Sequence, residues 1–318
     1  MDRKRRYFLC LGGAALLVVL LAGAGLCLGE MPLRQALDSG ILWRLRLPRI
    51  ATALLAGAAL ALGGAQMQAL FRNPLADPHI MGVSGGAGLG AALAATLSTT
   101  AGATLPMAVA AFLGALAASA LILFTATRVH SGTPLLIFGV MLGFILSALT
   151  SVVAYTAGEE SLKVFYTWSA GTFSSARPQD LVWIGSALAL SLALSLADAR
   201  GLDLALFGDD FSALSGGHPA RTRVLALTGC CLATAAVTAF CGPLGFAGIA
   251  SPHIARALSG QAAHRQILPL SLLVGGAIAL AADLVAQHAP TPLPAGSTLA
   301  LIGIPVILWI LLRKPWME

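Results

Sequence analysis

Charge is scarce in this sequence: of 318 residues only 10% are Asp, Glu, Lys or Arg, and the only lysines are Lys4, Lys163 and Lys314. A soluble domain carries charge on about a quarter of its residues, so this chain cannot cover a water-facing exterior. None of its lysines follows a glycine. The phosphate loop ending in Gly-Lys-Ser/Thr is therefore missing, which excludes ATP hydrolysis by this chain itself. The six histidines contain no H-E-x-x-H pair, and the five cysteines sit inside apolar runs without metal-ligand spacing. Metal catalysis and a disulfide framework are thus not expected. Long polar/apolar alternation is also lacking, which excludes the strands of a membrane β-barrel.

What the sequence has is hydrophobic length: 58% of it is apolar and its mean hydropathy is +0.86. A bilayer core about 30 Å thick takes roughly 20 apolar residues per helix. Such runs occupy 7–28, 48–70, 80–98, 104–127, 133–156, 180–198, 222–241, 243–260, 267–287 and 296–312. We expect an all-α integral membrane protein with ten transmembrane helices, because in hydrocarbon only helices and closed barrels satisfy the backbone. The basic opening Asp2-Arg3-Lys4-Arg5-Arg6 precedes an apolar run longer than the roughly 7–15 residues of a signal peptide, so it reads as a first membrane helix.

An even number of spans puts both termini on one side, and the basic N-terminus with Arg313 and Lys314 makes that side the cytoplasm. The net charge of +6 is then explained by orientation in the membrane and not by nucleic acid. Only Arg34, Arg44, Arg46, Arg49, Lys163 and Arg177 fall outside, and four of them crowd into one connection. Pro48 marks a first helical turn, where cations oppose the helix dipole, so an acidic partner is the expected reason for that cluster.

Asp77, Asp180, Asp198 and Asp283 all fall near the ends of expected helices. A proton-coupled carrier would be expected to place carboxylates in the bundle interior, so a stand-alone secondary transporter is disfavoured. Gly82-Val83-Ser84-Gly85-Gly86 matches G-x-S-x-G, with His253 as the available base for an intramembrane serine protease. Small residues are already expected there for helix packing. The same spacing recurs in Ala53, Gly57, Ala61 and Ala65 and in Gly139, Gly143, Ser147 and Ser151. "DPHIMG" from Asp77 echoes "SPHIAR" from Ser251, which suggests an internal repeat. The connection 200–223 interleaves Leu202, Leu206, Phe207 and Phe211 with Asp203, Asp209 and Asp210. It is too polar to span and too apolar for slack linker, and fits a short amphipathic helix pair docking on a soluble partner.

Long ordered stretches carry a resemblance over nearly the whole chain. They are "LRLPRIATALLAGAALALGGAQMQALFRNPLADPHIMGVSGGAG" from Leu45, "LLIFGVMLGFILSALTS" from Leu135 and "GPLGFAGIASPHIARALSG" from Gly242, followed by "HRQILPLSLLVGGAIALAADLVA" from His264 and "LPAGSTLALIGIPVILWILLRK" from Leu293. In these the chain resembles the FecCD/BtuC-like permease family, which imports ferric siderophores, haem and vitamin B12. The resemblance implies a type II importer fold in one transmembrane domain, 1–318, forming a homodimer in the bacterial inner membrane. It implies two cytoplasmic ATPase subunits that bind ATP and Mg, a periplasmic substrate-binding protein, and no cofactor on this chain.

The resemblance also assigns roles to residues. The loop 200–223 resembles the family's coupling helices, with Leu202, Leu206, Phe207 and the run Gly208-Asp209-Asp210 facing the ATPase. His130-Ser131-Gly132-Thr133 is similar to the cytoplasmic gate, where small hydroxyl residues of two subunits meet. Arg46 and Arg49 of "LRLPR" correspond to arginines that receive glutamates of the binding protein. Where the family has a third arginine before the last helix, this chain has Gln287 and then His288. Among the possible chelates, family breadth favours an iron chelate.

Overall fold

The computed structural model describes residues 3–29, 31–100, 106–129 and 131–313, and its regular structure among these is helical throughout. The helices are α1 (Arg3–Cys27), α2 (Leu33–Asp38), α3 (Leu47–Phe71), α4 (Val83–Thr100), α5 (Met107–Arg128), α6 (Gly132–Thr156) and α7 (Glu159–Ser169). They continue with α8 (Pro178–Ala197), α9 (Ala199–Ala205), α10 (Asp209–Leu214), α11 (Pro219–Cys241), α12 (Ala247–Ser259), α13 (His264–His288) and α14 (Ala295–Arg313). A π-helical turn, Leu42–Arg46, runs straight into α3. Prolines at the starts of α3, α8 and α11 fit a position whose N–H has no helical partner.

Seven helices among the described residues are long and apolar enough to cross a membrane, and α4 and α14 contribute shorter apolar stretches. The expected span 243–260 is only in part a helix. Gly242 has φ +76° and Phe246 φ +69°, so the chain stays irregular through Pro243 and enters α12 only at Ala247. With 13 residues, α12 is about 20 Å long, short of the hydrocarbon thickness. The expected span 80–98 is broken in the same way, because the 3-10 turn Pro78–Met81 ends at Gly82, φ +82°, before α4 begins. The two echoing hexapeptides therefore differ locally: Asp77 caps the 3-10 turn, whereas Pro252 lies inside α12.

At the centre of the bundle α3 is buried almost all round, against α13, α11, α12 and α8. Its small residues allow that approach. Gly57 faces Gly275 and Ala279 of α13, and Gly64 lies against the backbone of Gly248, where a side chain could not fit. Gly86 of α4 meets Gly114 of α5 in the same manner. These small-residue faces thus serve contacts within the subunit. In contrast, α6 packs mainly on α4 and leaves Ile137, Met141, Phe144, Ile145, Leu149 and Val152 exposed. Arg6 closes the bundle at one end, donating through Nε and Nη2 to the Leu258 and Ala257 carbonyls at 2.7 and 3.0 Å. A cation suits the last carbonyls of a helix.

Candidate functional site

Three groups of polar residues lie on the bundle, one at each end and one between. At the end that carries α7, a cavity of about 380 Å³ is lined by Arg46, Arg49, Gln287 and Ser174 among others. Three of the four expected docking residues are thus brought together; His288 is exposed and its Nδ1 lies 2.8 Å from the Leu284 carbonyl oxygen. Arg46 arrives from the π-helical turn and donates to the carbonyls of Leu26 and Met31 at 2.7 and 2.5 Å. Gly29 leaves the room for it, since a Cβ there would stand 2.7 Å from Arg46 Nη2.

Arg49, one turn further, has a different environment. Its Nε and Nη2 donate to the Asp283 carboxylate at 2.9 and 2.8 Å, and Gln287 Nε2 donates to the other oxygen at 2.7 Å. The acid for Arg49 is therefore inside the chain, on α13, where the expectation was an acid on a partner. The Asp283 side chain is 4% exposed and the Arg49 side chain 27%. Such a forked pair fixes the start of α3 against the end of α13. Arg46, by contrast, meets neutral carbonyls, so its positive charge is not cancelled by those contacts.

Along the middle of α6 a cavity of about 450 Å³ is lined by His79, Ser84, Gly143, Ser147, Thr150 and Ser151 among others. Thr150 and Ser151 also line a second cavity, about 490 Å³, which includes Tyr155 and Tyr166. Together they form a groove along α6. The Thr150 and Ser151 hydroxyls donate to the carbonyls of Leu146 and Ser147 one turn earlier, at 2.8 and 3.0 Å. Their donor hydrogens are used in this way, and the oxygens face the groove as acceptors. Ser84 Oγ has no hydrogen-bond partner, and His253 Nε2 lies 2.8 Å from the Pro74 carbonyl oxygen. No hydrogen bond joins Ser84 to His253, so a nucleophile–base pair is not formed.

At the opposite end α9 and α10 make a compact helix pair. Leu206 and Phe207 project outwards, 39% and 69% exposed, and Phe211 and Leu214 extend the same apolar surface. Leu202 does not belong with them. It is 1% exposed and packs with Leu62, Ala65, Ala69, Ala226 and Leu268 in the bundle. Leu206, the residue after α9, still has helical dihedrals (φ −59°, ψ −29°), but it lies one turn beyond Leu202, past the part of the bundle that covers that side chain. Gly208 turns the chain at φ +103°, Asp209 begins α10 and pairs with Arg223, and Asp210 is exposed. The sequence reading overlooked Arg223, which no local pattern marks. Near this end Ser131 caps α6 in extended conformation, with Thr133 exposed and Gly132 close under the Leu70 carbonyl. His130 lies outside the described residues.

A bundle with seven helices, among the described residues, long and apolar enough to cross a bilayer defines a multi-pass membrane protein. The chain belongs to the FecCD transport family, whose model matches residues 12–313. It is 39% identical over 274 residues to the cobalamin import system permease protein BtuC of Halobacterium salinarum, covering 85% of this chain and 73% of that protein. To the vitamin B12 import system permease protein BtuC of Klebsiella pneumoniae it is 36% identical over 322 residues, 98% of this chain and 95% of that one. A solved structure of a metal-chelate type ABC transporter in an inward-facing conformation superposes with a TM-score of 0.86 at 31% identity. The match covers 97% of this chain and 99% of that one.

Proposed function

We propose that the chain is the membrane-spanning subunit of an ATP-driven importer that carries a metal chelate of the cobalamin type into the cytoplasm. The observation that carries this reading is the end-to-end similarity to a vitamin B12 permease, 36% identity over 98% of the chain. It moves the substrate preference from an iron chelate to a corrinoid. In this reading the ten longer helices all cross the bacterial inner membrane, α12 with the irregular segment before it. The α9–α10 end and both termini face the cytoplasm, and the α7 end faces the periplasm.

Two copies would pair around α6, whose apolar face has no cover within one subunit. The groove along α6 would then line a shared pathway, and the Ser131–Thr133 segments would meet at its cytoplasmic mouth. A separate ATPase, holding ATP and Mg, would receive Leu206, Phe207 and the Gly208–Asp210 turn. A periplasmic binding protein would approach the Arg46 cavity with its acidic side chains, and specificity would rest chiefly on that protein. Arg46 supports this approach best because, among the described residues, it bonds neutral carbonyls and no acid. Docking outside and nucleotide closure inside would bias two arrangements of rigid helices.

The test is uptake in proteoliposomes that contain the permease, its ATPase and its binding protein. Cobalamin should accumulate on ATP addition, while haem and a ferric siderophore should not. Accumulation of a siderophore or haem with no cobalamin uptake would overturn the substrate assignment.

A further inference from the structure

Arg223, near the start of α11, is almost wholly inside the protein, its side chain 4% exposed. Its guanidinium reaches two separate elements at once. Nη2 donates to Asp209 Oδ2 at 2.5 Å, and Nη1 donates to the Val129 carbonyl at 2.6 Å. Asp209 is the first residue of α10, and Val129 caps the end of α5, two residues before Ser131. We propose that Arg223 is the positioning residue that transmits displacement of the α9–α10 pair to the Ser131–Thr133 segment. The proposal rests on the reading of those two segments as the ATPase contact and the gate.

The chemistry favours a rigid link. A guanidinium presents its donors in a fixed planar fork, so its two partners are held in one geometry. Because the Arg223 side chain is 4% exposed, water does not readily replace Asp209 when α10 moves, and pulling the two charges apart is disfavoured. The pull then arrives at a backbone carbonyl in the short connection between α5 and α6. Of the residues there, Val129 (φ −101°, ψ 130°) and Ser131 (φ −132°, ψ 154°) have extended backbone. Closer to α9, Asp203 Oδ1 accepts from the His264 backbone N–H at 2.8 Å and lies 2.6 Å from His264 Nδ1. That second anchor leads to the first residue of α13 and not to the gate, so the route through Arg223 is separable from the attachment of the loop as a whole.

The experiment uses the reconstituted complex of permease, ATPase and binding protein. Permease variants are Arg223→Met, Arg223→Lys, Asp209→Asn and the double Arg223→Met with Asp209→Asn. Each also carries a single cysteine at 131 or 133, in a background free of native cysteines. With Arg223→Met the ATPase should still co-purify and hydrolyse ATP, while substrate moved per ATP should fall about tenfold, mid-range for a contacting pair. The cross-link between copies should lose its dependence on nucleotide. Arg223→Lys should fall in between, because one ammonium cannot hold both partners in plane. The double variant should be no worse than Arg223→Met, since both changes remove one contact.

Wild-type transport per ATP and an unchanged nucleotide-dependent cross-link in Arg223→Met would overturn the link and leave the gate reading intact. Absence of any cross-link at 131 and 133 in the otherwise unaltered chain, under every nucleotide condition, would overturn the gate reading and this proposal with it. If Arg223→Met does not assemble, Asp209→Asn decides, as its side chain is 36% exposed and not a core element. A fall in substrate per ATP would support the link, and an unchanged ratio would refute it.

Discussion

Arg49 serves as an internal strut, and the consequence is measurable. Its partner Asp283 is 4% exposed, and the two share a forked ion pair with Gln287 completing the carboxylate. Removing one member of a buried pair costs about 3–5 kcal/mol, because the survivor is left charged and unpaired. Arg49 keeps 27% exposure and so some access to water, which places the expected loss at the lower end, about 3 kcal/mol. That is roughly a 150-fold shift in the folding equilibrium. Arg49→Leu and Asp283→Leu should each show this loss in an equilibrium denaturation followed by tryptophan fluorescence in mixed micelles. The double variant should recover to within about 1 kcal/mol of the parent, since replacing a whole buried pair by apolar side chains is often neutral. If Arg49→Leu is as stable as the parent but no longer associates with the binding protein, the strut is wrong and Arg49 is a docking residue.

Further outcomes follow from the same geometry. Arg46→Gln should weaken binding-protein association and flatten its salt dependence, read by surface plasmon resonance at low and moderate salt, because a rim charge acts mainly on encounter. Leu206→Asp or Phe207→Asp should release the ATPase during co-purification, whereas Leu202→Ala should leave it attached and instead lower stability by about 2–5 kcal/mol in micelle denaturation, as expected for a core cavity. Gly64→Ala should destabilise by about 1–3 kcal/mol in the same assay, since a methyl group there meets the Gly248 backbone.

The helical membrane class was legible in the sequence because apolar length is a local property, and bilayer thickness converts it directly into spans. The short helix α12 was not, because an apolar count does not register backbone sign: Gly242 and Phe246 interrupt the run through their positive φ values. The arginine cluster that holds Arg46 and Arg49 was visible as a breach of charge orientation. The acid that answers Arg49 was not, since Asp283 lies 234 residues away and no spacing connects them. In the coupling loop the mixture of Leu, Phe and Asp announced a helix pair. Composition and resemblance grouped Leu202 with Leu206, and neither registers that the bundle covers the first and leaves the second exposed one turn later. Arg223 was counted merely as an inside charge; Asp209 and Val129, which it bonds, lie 14 and 94 residues away.

The central claim, that this chain forms the pathway of an ATP-driven importer and has no engine of its own, is tested most directly by transport of labelled cobalamin into proteoliposomes with and without the ATPase subunit. Uptake should require the permease, the ATPase, the binding protein and ATP together, and should stop when any one is left out. Uptake by the permease alone, driven by an imposed proton gradient and indifferent to ATP, would contradict it.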